Sequence, residues 1–186
     1  TGKFTINKRP FILENGQQTV KISGVNETYE YTGNKIEPVI TVTDGYNPST
    51  VLTKGTDYSV TYSGNHTQVS DSPITITVTA LSDSPNYAIG DPVTTTFKIT
   101  KRQFSTSANV TLKEASSTYD GSNKSDALKN TMKVILDEGT TRQETLTYGS
   151  DYTITVGSTD VESAEVVNAG DYSITISPKD TTNYDG

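Results

Sequence analysis

Phe97-Lys98-Ile99-Thr100-Lys101-Arg102-Gln103-Phe104 is the second appearance of Phe4-Thr5-Ile6-Asn7-Lys8-Arg9-Pro10-Phe11. Working outward from it, Gly55-Thr56-Asp57-Tyr58 returns as Gly149-Ser150-Asp151-Tyr152, and Asn86-Tyr87 returns as Asn183-Tyr184. A self-similar unit of this length is a whole small domain rather than one turn of a solenoid. The chain therefore reads as two domains of roughly 90 residues each. The expected boundaries are residues 8–100 for the first domain and 101–186 for the second. Residues 1–7 are either the end of a preceding repeat or a first strand.

Strand periodicity dominates both halves. Tyr58 to Tyr62, Ile74 to Val78, Tyr152 to Val156 and Tyr172 to Ile176 alternate a large apolar or aromatic residue with Ser or Thr. In a strand this puts the large side chains on one face and the hydroxyls on the other, the signature of half-buried antiparallel strands. Shorter strands are expected at Val20 to Ile22, Tyr29 to Tyr31, Val39 to Val42, Thr95 to Ile99, Val110 to Leu112 and Met132 to Leu136, with one helical turn over Ser125 to Asn130. Turn signals such as Asp44-Gly45, Lys54-Gly55, Asp120-Gly121 and Ala169-Gly170 separate them. Evenly punctuated short strands predict an all-β chain of two tandem immunoglobulin-like β-sandwiches. Spacing between matched landmarks drifts from one to the next, so insertions fall in loops, where length change is tolerated.

Composition narrows the function classes. Cysteine and tryptophan are absent and methionine occurs once, in a chain whose formal net charge is −7. An acidic chain lacks the clustered positive field that phosphate binding needs, which argues against nucleic acid as a partner. The basic pairs Lys8-Arg9 and Lys101-Arg102 recur at one phase of the repeat, so they read as a boundary feature rather than a binding patch. No apolar run is long enough to cross a bilayer, which argues against membrane insertion. A Thr-, Ser-, Asn- and Tyr-rich chain without cysteine fits an exported bacterial protein that folds without oxidative help.

Tyr31, Gly33, Lys35 and Pro38, then Leu52 to Tyr62 with its Gly-x-Asp-Tyr-x-Val-x-Tyr ending, then Asn86-Tyr87 and a closing Phe97-x-Ile99, resemble the tandem bacterial immunoglobulin-like repeats of gut Firmicutes cell-surface proteins. The resemblance covers nearly all of the first repeat. In the second, Gly121 is followed by Ser-Asn-Lys with no proline, Val156-Gly157 replaces Tyr62-Ser63, and the closing Phe-x-Ile is missing. The resemblance implies a secreted, wall-attached or cell-surface Gram-positive protein. Such repeats serve as stalks, adhesin modules and spacers in glycan-degrading enzymes alike, because fold does not imply function.

Chemistry-bearing residues are sparse. The sole histidine, His66, lies in Ser63-Gly64-Asn65-His66-Thr67 and has no counterpart in the second repeat; it reads as an exposed turn residue, since a general base needs a nucleophile and an orienting partner beside it. Asp57 and Asp151 each precede a strand tyrosine and are expected to close a turn by accepting a downstream backbone N–H. Asp83, Asp91 or Asp180 could contribute to a calcium site at the domain junction, but they lack the dense Asp-x-Asp spacing of calcium loops. An intramolecular Lys–Asn bond would pair Lys35 or Lys124 with Asn86 or Asn183, at the cost of burying a lysine. Tyr58, Tyr62, Tyr152 and Tyr172 run in phase with core aliphatics. Tyr46 and Tyr148, near turns, are left as the candidate ligand contacts.

The sequence thus points to a non-enzymatic stalk or adhesive repeat with no catalytic, cofactor or metal residues. Its alternatives are a module binding a glycan or a host protein such as mucin or immunoglobulin, or a spacer in a glycan-degrading enzyme. Neighbouring repeats of the same chain are the expected partners. No Gly- or Pro-rich stretch separates Ile99 from Phe104, so the two domains are expected end to end. If Phe-x-Ile closes a domain, Phe4-Thr5-Ile6 belongs to a preceding repeat and the second domain has an open edge. Head-to-tail self-association follows, because open edges recruit strands.

Overall fold

A computed structural model of the protein describes residues 2–112 and 116–186. The chain forms two compact units, Thr1–Thr100 and Lys101–Gly186, and β-strand dominates both. Unit 1 contains β1 (Arg9–Pro10), β2 (Val20–Ser23), β3 (Thr28–Glu30), β4 (Thr41–Asp44), β5 (Tyr58–Tyr62), β6 (Ile74–Ala80), β7 (Tyr87–Ala88) and β8 (Val93–Thr100). Unit 2 contains β9 (Arg102–Gln103), α1 (Phe104–Ser107), β10 (Ala108–Leu112), α2 (Ser125–Thr131) and β11 (Met132–Leu136). It continues with β12 (Glu144–Leu146), β13 (Tyr152–Val156), β14 (Thr159–Asp160), β15 (Ile174–Pro178) and β16 (Tyr184–Asp185).

The repeated sequence motifs become repeated pairings. β5 and β6 form an antiparallel pair that sets Tyr58 opposite Ala80 and Tyr62 opposite Ile76; β13 and β15 do the same, with Tyr152 opposite Pro178 and Val156 opposite Ile174. The antiparallel β2–β4 pair of unit 1, whose strands flank β3 in the chain, answers to the antiparallel β10–β11 pair of unit 2, whose strands flank α2. Gly-x-Asp-Tyr sits at the start of β5 and β13, where Asp57 and Asp151 accept hydrogen bonds from the backbone N–H of Thr53 and Thr147 at 2.8 and 2.7 Å. The aspartates close turns as expected, but the donors lie four residues upstream rather than downstream. The carboxylate reaches back over a positive-φ glycine (Gly55, φ 85°; Gly149, φ 83°), which bends the upstream backbone within reach.

Three pairings are parallel: β1 with β7, β9 with β16, and β3 with β8. The alternating pattern predicts antiparallel neighbours throughout, and it misses these because side-chain alternation is the same in both orientations. Parallel partners are joined by long crossovers, which leave no hairpin signal. Two of the three are the repeat motif itself. Lys-Arg-x-Phe lies beside Asn-Tyr in each unit, with the Arg9 and Arg102 N–H donating to the Asn86 and Asn183 carbonyls at 3.0 and 2.9 Å. Phe11 meets Tyr87 edge to face at 5.5 Å and Phe104 meets Tyr184 likewise at 6.2 Å. Each unit is clasped where its opening segment meets its Asn-Tyr, which in unit 1 precedes β8.

An arginine completes each clasp. Arg102 is only 1% exposed and donates to Asp137 at 2.7 Å, Glu144 at 3.1 Å and the Arg142 carbonyl at 3.1 Å. Arg9 pairs with Asp44, which also accepts from the Tyr87 hydroxyl at 2.7 Å and from the backbone N–H of Tyr46 and Asn47. The carboxylates neutralise Arg102, the fully buried one of the two, as a buried charge requires, while the Nε of each arginine is left without a partner. The recurrent basic pairs are therefore half structural: the arginine faces in and the lysine stays outside.

The units differ in their closing strand. In unit 1, β8 lies antiparallel to β6 and parallel to β3, completing the order β3-β8-β6-β5. It buries Phe97 and Ile99 against Ile74 and Ile76, and Tyr29 meets the Phe97 ring edge to face at 5.3 Å. A separate cluster around Phe11, Val42, Tyr58 and Val78 fills the other end of the unit. Unit 2 holds the counterpart of that second cluster, around Phe104, Val134, Leu136, Tyr152 and Ile154. Its sheet stops at β15, in the order β14-β13-β15. The strand expected from Tyr172 accordingly begins at Ile174, because the two residues before it have no strand on their far side to hold them extended. The strand expected at Val39 to Val42 also shifts, to Thr41–Asp44; Val39 is exposed, and its carbonyl lies where a Cβ on Gly24 (φ +86°) would come within 2.8 Å.

Two outcomes are expected. Phe97→Ala should destabilise unit 1 by about 3–5 kcal/mol, while calorimetry shows the unit 2 transition unmoved. Asp44 generates the second: burial acts to raise its pKa, but the Tyr87 hydroxyl, the Tyr46 and Asn47 N–H groups and the Arg9 charge outweigh it and hold the carboxyl below its usual 3.8. A depressed folded-state pKa gives stability that is complete above the unfolded value and lost as pH falls through the folded one. Burial first, then the hydrogen bond to Asp44, pushes the Tyr87 phenol up from 10 to about 12. That contribution is complete below pH 10 and lost as pH rises toward 12. Denaturant titrations across pH should show both losses in unit 1, and Asp44→Asn should remove the acidic one.

Candidate functional site

Tyr46 and Tyr148 lie in different units and different settings. Tyr46 follows the end of β4, is 58% exposed, and carries the Arg9 guanidinium over its ring at 4.6 Å. That cation–π contact fixes the ring and leaves one face to solvent. Tyr148 is half-buried and its hydroxyl donates to Glu162 at 2.8 Å. Glu162 accepts from Lys129 at 2.7 Å, and Lys129 also pairs with Asp126 at 2.8 Å. The Tyr148 ring meets Tyr152 edge to face at 5.9 Å. Hydrogen bonds from Lys129 and then Tyr148 hold the Glu162 carboxyl below its usual range, and Asp126 and then Glu162 raise the Lys129 ammonium. These contacts tie α2 and the segment after β14 to the start of β13.

His66 is a correction. Its side chain is 14% exposed rather than an open turn residue. The ring lies against Tyr62 at 5.5 Å, with Nε2 3.3 Å from Glu37 and Nδ1 3.3 Å from the Gly64 carbonyl. The loop folds back because the Ile36 N–H donates to the His66 carbonyl at 2.9 Å, a long-range bond that no local pattern encodes. No hydroxyl nucleophile is among its hydrogen-bond partners.

The remaining candidates separate. Asp83 and Asp91 are exposed, and Asp180 caps its own turn by accepting from the Thr182 and Asn183 N–H groups. Among the described residues no three His, Asp or Glu side chains gather to hold a metal. Lys35 pairs with Glu37 at 2.6 Å, and Lys124 pairs with Asp120 at 2.5 Å. Asn183 donates to Asp180 at 2.6 Å. Neither lysine is directed at an asparagine.

Sequence reasoning did not locate a groove of about 400 Å³ in unit 2. It is lined by Ser116 to Tyr119, by Asn168 to Tyr172 with Ile174, and by the apolar Leu112 and Leu128. Along β6 in unit 1, Ile74, Ile76, Val78 and Ala80 are all buried; at the matching positions in unit 2, Tyr172, Ile174 and Ile176 are only half-buried and Pro178 alone is buried. No local pattern marks it, because its lining comes from segments far apart in the chain.

Residues 106–183 match the family model of the MBG domain, a β-rich domain of bacterial surface proteins. The match falls wholly within unit 2. Comparison of the chain with curated proteins and with solved structures gives no match. Among the described residues no helix is long and apolar enough to cross a membrane.

Tyr148 makes the network testable. Desolvation first and the Glu162 hydrogen bond second push its phenol up to about 12. Glu162→Gln should lower that pKa, leaving it above 10 because desolvation remains. Phenolate absorbance during alkaline titration reads the shift.

Proposed function

We propose that this chain is a non-enzymatic structural segment of a bacterial surface protein, two immunoglobulin-like β-sandwich modules serving as a stalk or adhesive repeat outside the cell. The observation that carries the reading is the match of residues 106–183 to the MBG domain. Unit 1 supports its extension to the whole chain, because it repeats the same clasp, the same Gly-x-Asp-Tyr turn and, in β5–β6 against β13–β15, the same antiparallel register. Polar side chains are engaged in holding loops and unit ends together rather than converging on a common cleft. The Thr-rich, acidic exterior suits a solvated spacer.

A ligand-binding module is the second reading, favoured by the open face of Tyr46, since sugars stack on exposed aromatic rings. A glycan array together with capture from mucosal secretions separates the two. A stalk gives no saturable binding in either. Saturable binding reduced by Tyr46→Ala, with Tyr148→Ala as a comparison, would establish the module instead. Turnover in a broad hydrolase screen that one point substitution abolishes would overturn both.

A further inference from the structure

We infer that the open edge of the Arg9 guanidinium is a carboxylate-binding site in unit 1, flanked by Tyr46 and Val51, and that its occupant is an acidic side chain of a partner polypeptide. The inference rests on the binding-module reading of Tyr46 and deepens it by naming the ligand.

Unit 2 shows what such an edge receives. Arg102 engages two carboxylates there, Asp137 on Nη2 at 2.7 Å and Glu144 on Nη1 at 3.1 Å. One sequence offset relates Arg9 to Arg102, Asp44 to Asp137 and Val51 to Glu144. Strand register agrees: Glu144 lies opposite Leu136 as Val51 lies opposite Thr43, and the same offset relates Thr43 to Leu136. Unit 1 keeps the first carboxylate, Asp44, on Nη2 and has a valine at the position of the second. A valine accepts no hydrogen bond, so Arg9 holds one of the two carboxylates that its counterpart holds.

That edge is accessible. The Arg9 side chain is 30% exposed, against 1% for Arg102. Its Nη1 makes no hydrogen bond among the described residues and, unlike Nε, is not sealed from solvent. Tyr46 covers the guanidinium at 4.6 Å and the buried Tyr87 lies 5.8 Å from it. The two rings and Asp44 together restrain the fork before a ligand arrives. At the same offset unit 2 has Gly139 in place of Tyr46, so the exposed ring is particular to unit 1, and Val51 is 60% exposed. An open guanidinium edge takes a carboxylate through charge-assisted hydrogen bonds, while Tyr46 and Val51 offer apolar contact to the residues on either side of an acidic side chain. Unit 2 places a strand glutamate there, which favours a polypeptide over a sugar as the source of the carboxylate. The formal charge of −7 opposes an acidic partner at long range, so the contact depends on these flanking side chains as well as on the ion pair.

NMR titration of the full 186-residue chain, following the Arg9 side-chain N–H and Tyr46 ring signals, tests this with two end-blocked synthetic peptides. One has the sequence of residues 143–147, which carries Glu144, and the other is its E144Q variant. The expected result is a saturable shift at Arg9 and Tyr46 with the glutamate peptide and roughly tenfold weaker binding of the glutamine peptide, the discrimination that a hydrogen bond between charged groups supplies. V51E should provide the carboxylate within the chain, abolish binding and raise the melting temperature of unit 1, whereas V51T should still bind. The peptide pair acts on the unsubstituted chain, so the test does not depend on how a variant folds. Equal binding of the two peptides, or binding of neither, overturns the inference, as does V51E binding the glutamate peptide like the unsubstituted chain. Tighter binding of glucuronate than of the peptide overturns the polypeptide as partner. A neutral glycan bound through Tyr46 while both peptides fail removes this inference and leaves the module reading standing; no saturable binding of any of them removes both.

Discussion

Each unit depends on a short parallel pairing, around an arginine, between its opening segment and its Asn-Tyr. Arg-x-Phe from the start of a unit lies beside Asn-Tyr, which in unit 1 precedes β8 and in unit 2 lies near Gly186, so a loop of most of the unit's length is closed by one pairing, one aromatic contact and one charge cluster. Closing a long loop costs conformational entropy that grows slowly with length. The clasp meets that cost with buried rings and a charge paired within low-dielectric surroundings. A lone buried arginine would be untenable; with Asp137, Glu144 and a backbone carbonyl around it, Arg102 becomes a geometric anchor. Removing one partner of such a cluster leaves an uncompensated charge, which is why these groups behave as a unit.

The clasp also divides the repeated motif. Phe-x-Ile lies before it and Arg-x-Phe within it. In Phe97 to Phe104 the first part is the last strand of unit 1 and the second part is the opening segment of unit 2. One continuous stretch thus serves two cores. Burial differs between the units: beside β8 every inward residue of β6 is covered, whereas β15, which pairs with β13 alone among the described residues, has its matching residues half-buried next to a groove.

Polar residues throughout are spent on loop architecture. Asp57, Asp151, Asp180 and Asn123 each hold backbone N–H groups, and Asn123 joins the start of α2 to the segment near Val166 through bonds of 2.9 to 3.1 Å. In cores as thin as those of 90-residue units, such caps carry a larger share of stability than in a large domain. The formal net charge of −7 makes copies of the chain mutually repulsive.

The amino-acid sequence by itself determined the repeat, the alternation that makes Tyr58 to Tyr62 and Tyr152 to Val156 strands, and the helical turn at Ser125. These are local or self-referential signals: a period of two, a turn glycine, a motif that recurs. Only the tertiary structure decided which strands run parallel, that the arginines of the basic pairs turn inward, that His66 folds under Ile36, and that Tyr148 is held by Glu162. Each of these joins residues far apart in the chain, and alternation carries no record of a partner's direction or identity. The groove belongs with these: Ser117 and Tyr172 are among its lining and are brought to one place only by the fold.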